Sequence, residues 1–228
     1  MKNTPKVSII TPCYNDGNFL LDAIESARPL VEPGFCEHIV VDDCSTDKQT
    51  KKVYEKLRDQ NVQIIYAKKV GLSAARNIGI EAASADYYLN LDADNKIRPE
   101  YPVKAAKILD ENPHVGVVYS NYKYFGTHDN IIKCGVFNPY RLLHSNYIDT
   151  CSVIRKQAWK EVGGYDEKES FWEDWNFWIG MLNTPWEFYY LDEVMFDYRI
   201  RKEGNLRAKF QTRENEVRGY IAGKSPNL

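Results

Sequence analysis

The chain has no apolar run approaching the roughly 18 to 20 residues that a membrane-spanning helix takes. Its basic start, Met1 to Lys6, is followed only by Val7 to Ile10 before Thr11-Pro12, too short for a signal peptide's apolar segment. The five cysteines are odd in number, scattered and never spaced Cys-x-x-Cys, which argues against a disulfide framework or a zinc site and for free thiols in a reducing compartment. Neither sign of charge dominates: 30 basic residues face 32 acidic ones, so no broad electrostatic grip on nucleic acid is expected. No Gly-x-Gly-x-x-Gly follows any strand-like segment, which removes the dinucleotide-binding oxidoreductases. Internal repeats and low-complexity linkers are also missing. The expectation is a soluble cytoplasmic protein without a transmembrane segment, compatible with peripheral association at the inner face of the membrane. Its 228 residues form one domain with a sizeable core.

What is present is alternation. Val7 to Thr11 reads as a strand closed by Pro12-Cys-Tyr-Asn15, and Asn15 or Asp16 can cap a helix to about Arg28, stopped by Pro29 and Pro33-Gly34. Glu37 to Val41 is a second strand, running into Asp42-Asp43-Cys-Ser-Thr-Asp47, where Ser45 or Asp47 opens a helix through Val53 and Leu57. Val62 to Tyr66 is a third strand. Gly71 to Ala83 is small and helical and leads to a strand from Tyr87 to Leu91. Strand and helix alternating at these lengths predict βαβ units, a parallel sheet and right-handed crossovers. The second half loses the rhythm. It predicts a helix over Pro99 to Glu111, strands over Val115 to Ser120, Tyr122 to Phe125, Ile131 to Val136 and Asp149 to Ile154, and a short helix over Arg155 to Val162. A helix over Glu173 to Leu182, strands near Phe188 to Tyr190 and Val194 to Tyr198, and a final helix over Arg207 to Ala222 complete it.

In parallel sheets ligands bind outside the carboxyl ends of the strands. Three polar clusters fall at such ends: Thr11 to Asn15, Asp42 to Asp47, and Asp92 to Asn95. Asp92 and Asp94 repel unless something positive lies between them, and a magnesium-like cation is usually held by one or two carboxylates plus a substrate's phosphates. A solvated, helix-capping turn is the alternative. Asp43 can accept from a base's ring N–H while Tyr14 offers an aromatic face; capping the next helix is the plainer role for Asp42 and Asp43. Arg76, among Ala74, Ala75 and Gly79, has the planar fork that suits a diphosphate, or is an ordinary surface arginine. Trp175, Trp178, Ile179 and Leu182 share one helical face and read as packing. Glu173 and Asp174 stand at the start of that helix, where the dipole favours acids and a rigid setting suits a general base. Gly163-Gly164 is either a helix C-cap or a close approach to a ligand.

Taken together, from about Lys6 to Tyr198, the chain resembles the family 2 glycosyltransferases. The resemblance rests on Val7-Ser-Ile-Ile-Thr-Pro-Cys-Tyr-Asn15, Val40-Val-Asp-Asp43-Cys-Ser-Thr-Asp47, Gly71-Leu-Ser-Ala-Ala-Arg76-Asn-Ile-Gly79, Leu91-Asp-Ala-Asp94-Asn95, Gly163-Gly-Tyr-Asp166 and Glu173-Asp174. It implies an α/β fold of the GT-A type, a Rossmann-like, mostly parallel sheet with flanking helices. Residues 1–97 would be the nucleotide-sugar-binding half, and 98–228 a mixed β acceptor-side half. It further implies inverting transfer from a UDP-sugar to a hydroxyl of a glycan or lipid-linked acceptor. Pro12 and Tyr14 would border the base, Asp43 would bind its ring N–H, and Arg76 would lie near the diphosphate. Asp94 would ligate Mn²⁺ or Mg²⁺, with Asp92 beside it at the ribose or diphosphate, and Asp174 would be the catalytic base.

Two departures qualify the pattern. Where many non-processive members carry a histidine after a Tyr-Arg pair, this chain has Tyr198-Arg-Ile-Arg201-Lys202, so Arg201 or Lys202 would grip the diphosphate. The Gln-x-x-Arg-Trp element of processive synthases is missing, which argues against a polysaccharide synthase. The competing functions are a non-catalytic nucleotide-sugar or glycan-binding module and a sugar-nucleotidyltransferase. The first sits badly with the presence of both Asp94 and Asp174, and the second with Thr-Pro-Cys-Tyr-Asn in place of a glycine-rich phosphate loop. Cys13 and Cys44 lie in the rim loops, so bound nucleotide should slow their alkylation relative to Cys134.

Overall fold

A computed structural model of the protein describes residues 4–58, 60–168 and 172–202, together with Gly219. The first half follows the predicted alternation: β1 (Val7–Cys13), α1 (Gly17–Val31), β2 (Cys36–Asp42), α2 (Lys48–Leu57), β3 (Val62–Tyr66), α3 (Leu72–Ala82) and β4 (Tyr87–Asn90). These four strands pair in parallel in the order β3-β2-β1-β4. All seven residues of β1 are buried, as befits the middle of a sheet covered on both faces. Helix α3 packs very close to that sheet because it is small-sided: a Cβ at Gly79 would collide with Ile10 Cγ2 on β1.

One predicted boundary moves, and one predicted cap is made differently. Helix α1 runs on through Pro29 to Val31 and ends at a turn in which Gly34 has φ +80°. A proline this close to the helix end removes only one backbone hydrogen bond, so the helix survives it. Neither Asn15 nor Asp16 caps α1 with its side chain; instead the Gly17 N–H donates to Thr50 Oγ1 on α2 at 2.8 Å. Asp47, by contrast, caps α2 as expected, accepting from the Thr50 N–H at 2.8 Å.

The second half continues the same sheet with mixed pairing. After β5 (Lys96–Ile97) and α4 (Glu100–Glu111) come β6 (Val115–Gly126), β7 (Ile131–Ile132) and α5 (Pro139–His144), the last a short helix that the sequence reading omitted. They are followed by β8 (Val153–Arg155), α6 (Lys156–Val162), α7 (Glu173–Met181) and β9 (Glu187–Ile200). Among the described residues the nine strands form one sheet, ordered β3-β2-β1-β4-β8-β6-β9-β5 with β7 on β6. Strand β8 is antiparallel to both β4 and β6, whereas β9 is parallel to β6 and antiparallel to β5. The two strands predicted near 188–190 and 194–198 are one continuous β9, which absorbs register shifts opposite Ser120 to Tyr122. The predicted helix over Arg207 to Ala222 lies outside the described residues. Helix α7 buries Trp175, Phe177, Trp178, Ile179 and Met181, so its aromatics are core, as the periodicity predicts. Among the described residues no helix is long and apolar enough to cross a membrane.

Candidate active site

The parallel register places Cys13 opposite Asp42, so the loops after β1 and β2 leave the sheet side by side. Asn15 ties them together. At φ +56° its side-chain oxygen accepts from the Thr46 and Asp47 N–H groups at 2.8 and 3.1 Å. Between these loops, the end of β4 and the end of β9 lies a cleft of about 430 Å³ lined by Pro12, Tyr14, Asp43, Asp92, Asp94 and Arg201, among others. The structure therefore brings together on one rim six of the residues singled out from sequence.

Asp42 and Asp43 divide their work. Asp42 turns inward, accepting from the Ser45 N–H at 3.0 Å and the Tyr54 hydroxyl at 2.9 Å. Asp43 faces the cleft, and its two oxygens accept from the Val70 and Gly71 N–H groups at 2.5 and 3.1 Å. That contact pins the loop between β3 and α3, where Gly71 adopts φ +90°. Tyr14 is 45% exposed, with the Lys69 ammonium 5.6 Å from its ring centroid.

Arg76 is no surface residue: it is 1% exposed. One terminal nitrogen donates to Asp92 Oδ1 at 2.8 Å and the other to Glu173 Oε1. Burial works against its charge, and Glu173 and Asp92 more than offset that, holding the guanidinium above its ordinary pKa. Its planar fork thus bridges the cleft rim to the start of α7. Asp94 is held by Arg201, whose Nε and one terminal nitrogen both reach Asp94 Oδ2 at 2.7 Å while the other reaches Asp16 Oδ1 at 2.9 Å. Burial first, and then the charge of Asp92, push the Asp94 carboxyl up to about 6 against the pull of Arg201. Arg199 completes the frame: Nε donates to the Asp94 carbonyl at 2.8 Å, and its backbone N–H to Asn95 Oδ1 at 2.9 Å.

The chemistry of Asp92 and Asp94 fits a hard divalent cation, with the remaining ligands to come from outside the protein. Among the described residues no cluster of three or more His, Cys, Asp or Glu side chains is arranged to hold a metal ion.

Asp174 lies on the first turn of α7 and is partly buried. Its Oδ2 accepts from Asn146 Nδ2 at 2.9 Å and its Oδ1 from the Trp175 N–H at 2.8 Å. Burial, followed by the charges of Glu173 and Asp149, lifts its pKa well above the usual carboxylate range. It does not line the 430 Å³ cleft; its link to that cleft is the neighbouring Glu173, through Arg76 to Asp92. Gly163 takes the plainer of its two readings. At φ +92° it caps α6, its N–H donating to the carbonyl of Lys160 at 3.1 Å. Sequence reasoning missed Asp16, Asn146 and Arg199 as site residues, because each acquires its role from a partner 28 or more positions away.

A family model described as glycosyl transferase family 2 matches residues 8–163, well over half of the chain. The chain belongs to glycosyl transferase family 2. It is accordingly a glycosyltransferase, and its architecture is the GT-A fold shared by solved members. The family relative TuaG of Bacillus subtilis, provisionally assigned to teichuronic acid biosynthesis, is 26% identical over 205 residues, covering 86% of this chain and 79% of TuaG. The S. aureus TarS structure in complex with UDP-GlcNAc aligns with a TM-score of 0.74 and 23% identity, over 98% of this chain and 67% of that one. The Pyrobaculum calidifontis mannosyltransferase PcManGT, in complex with GDP-Man and Mn²⁺, aligns with a TM-score of 0.71 and 18% identity, over 99% and 65%. This chain spans 60% of the length of the TarS chain solved in complex with UDP.

Proposed function

We propose that this chain is an inverting, non-processive transferase that moves a sugar from a UDP-linked donor to a hydroxyl of a glycan or lipid-linked acceptor. The observation that carries this reading is the convergence of Tyr14, Asp43, Asp92, Asp94 and Arg201 on one cleft, with Asp174 across Arg76 from it. Residues 1–97 would supply the donor half and 98–228 the acceptor half of one domain. Support for a UDP donor comes from the TarS complexes, and for a glycan acceptor from the assignment given to TuaG.

In this mechanism Pro12 and Tyr14 border the base, and Asp43 orders the loop beside it and accepts its ring N–H. Arg201 exchanges its carboxylate partners for the diphosphate, while Arg76 holds Asp92 and Glu173 in place. Asp174 takes the proton from the acceptor hydroxyl as that oxygen forms its bond to the anomeric carbon and the carbon–oxygen bond to the diphosphate breaks. An acceptor attacking from the opposite face inverts the configuration, and no protein nucleophile takes part. Asp94, with Asp92, would hold Mn²⁺ or Mg²⁺, which supplies positive charge at the departing diphosphate.

One observation favours a second reading, transfer without a metal: the Arg201 guanidinium already bridges Asp94 and Asp16. Activity that survives EDTA would select it.

Thermal denaturation against UDP, GDP, dTDP and CMP, each with and without Mn²⁺, tests the donor site, because a ligand that binds only the folded state raises the melting temperature. Stabilisation by UDP that needs Mn²⁺ and is lost in Asp94→Ala is the expected result. No response to any nucleotide would overturn the assignment.

A further inference from the structure

Asp174 is gripped from two directions. The Trp175 N–H holds Oδ1 from within α7, and Asn146 Nδ2 holds Oδ2 from the segment after α5. The amide nitrogen of Asn146 is the end that faces the carboxyl group, the contact that favours its charged form, which only accepts hydrogen bonds. The amide oxygen then points away, buried and without a hydrogen-bond partner among the described residues. Burying an unsatisfied acceptor costs stability. A purely structural side chain here would do better without the amide, so its value lies in the bond to Asp174.

The charged and titratable groups around the carboxylate sharpen this. Glu173, Asp149, Arg76 and Tyr165 interact electrostatically with Asp174. Two of the four are acids, and the single cation, Arg76, already donates to Glu173 and Asp92. Among the described residues Asn146 is the one side chain that donates a hydrogen bond to Asp174.

We propose that Asn146 is a positioning residue for transfer: its amide nitrogen fixes Oδ2 of Asp174 so that the charged carboxylate presents a free lone pair to the acceptor hydroxyl. This rests on reading Asp174 as the general base.

The test compares Asn146→Ala, Asn146→Asp and Asp174→Asn with the wild type in two assays. The first needs no substrate. Because the folded-state pKa of Asp174 is raised, the folded protein retains a proton that the unfolded chain releases. Stability should therefore fall as pH rises from the ordinary carboxylate range to that raised value. Asp174→Asn should flatten this decline, and Asn146→Ala, by removing a bond to the charged form, should extend it to higher pH.

The second assay follows nucleoside diphosphate release from whichever nucleotide sugar the wild type turns over. In Asn146→Ala, kcat at neutral pH should drop roughly tenfold to a hundredfold, as expected for losing a hydrogen bond to a charged group. The acidic limb of the pH–rate profile should move upward, with the donor KM within about twofold of wild type, since Asn146 does not line the donor cleft. Asn146→Asp, which adds a like charge, should move the limb further. A folded Asn146→Ala with wild-type kcat and an unmoved acidic limb, beside an inactive Asp174→Asn, overturns the role of Asn146 alone. Full turnover by Asp174→Asn overturns the base and this inference with it.

Discussion

Replacing Arg76 by methionine keeps much of its volume and removes its charge, leaving the acids on either side to fend for themselves. They are not equally placed. The Asp92 side chain is 30% exposed and can be rehydrated, whereas that of Glu173 is 8% exposed and is left buried and unpaired. Breaking a buried pair by removing one partner costs about 3–5 kcal/mol. For a protein of this size each kcal/mol lowers the melting temperature by roughly 2–4 °C, so Arg76→Met should melt about 6–20 °C below wild type. Removing the stranded charge as well, in Arg76→Met with Glu173→Leu, should recover most of that loss, because a buried pair replaced by apolar side chains is often near neutral. The two single variants and the double form a cycle whose interaction energy belongs to the pair. Melts at neutral pH without ligand, read by circular dichroism, give all four stabilities, and calorimetry with UDP on the same samples gives binding. If Arg76→Met melts within about 2 °C of wild type yet binds UDP tenfold more weakly, the arginine is a diphosphate ligand and the buried bridge described here is wrong.

Two further predictions concern the cleft. Arg201→Gln frees Asp94 and Asp16 and should strengthen Mn²⁺ binding to the nucleotide-free protein while weakening UDP, each by roughly tenfold, the scale of one charge-assisted hydrogen bond; weaker Mn²⁺ binding in titration calorimetry would contradict it. Among the thiols only Cys44 is exposed, and burial pushes Cys13 up to about 11 and Cys134 up to about 12. One thiol should therefore react rapidly in the native protein and five after denaturation, with UDP slowing the single fast one; a second fast thiol would refute the burial of at least one of Cys13, Cys36, Cys134 and Cys151. That revises the comparison drawn from sequence, in which Cys134 served as the reactive reference.

The sequence reveals what local chemistry determines. Periodicity and turn residues mark β1 to β4 and α1 to α3, and carboxylates at strand ends mark the rim, because a parallel sheet must deliver those ends to one side. It is silent where partners are remote. Nothing near Arg76 announces Glu173, 97 positions away, and nothing near Asp94 announces Arg199 or Arg201. The continuous β9 looks like two strands in sequence because the irregular register opposite Ser120 to Tyr122 breaks its alternation, and tertiary pairing rather than propensity holds it together. Helix α5 escaped because six residues carry too little periodicity to register, although Asn138 caps it through the Arg141 N–H.

The position of β9 also bears on the order in which the molecule is made. Strands β1 to β4 can pair once about 90 residues have left the ribosome, and Asp16 and Asp94 are present from nearly that moment. Their counter-ion, Arg201, follows 107 positions after Asp94, and Arg199, which grips the Asp94 carbonyl, 105 positions after it. At synthesis rates of about 5–20 residues per second the nascent first half spends seconds with Asp16 and Asp94 lacking that counter-ion, whereas Asp92 already has Arg76. The electrostatic balance of the cleft is thus among the last features of this fold to be completed, and any interruption of the chain before β9 leaves an incomplete sheet with Asp16 and Asp94 short of their counter-ion.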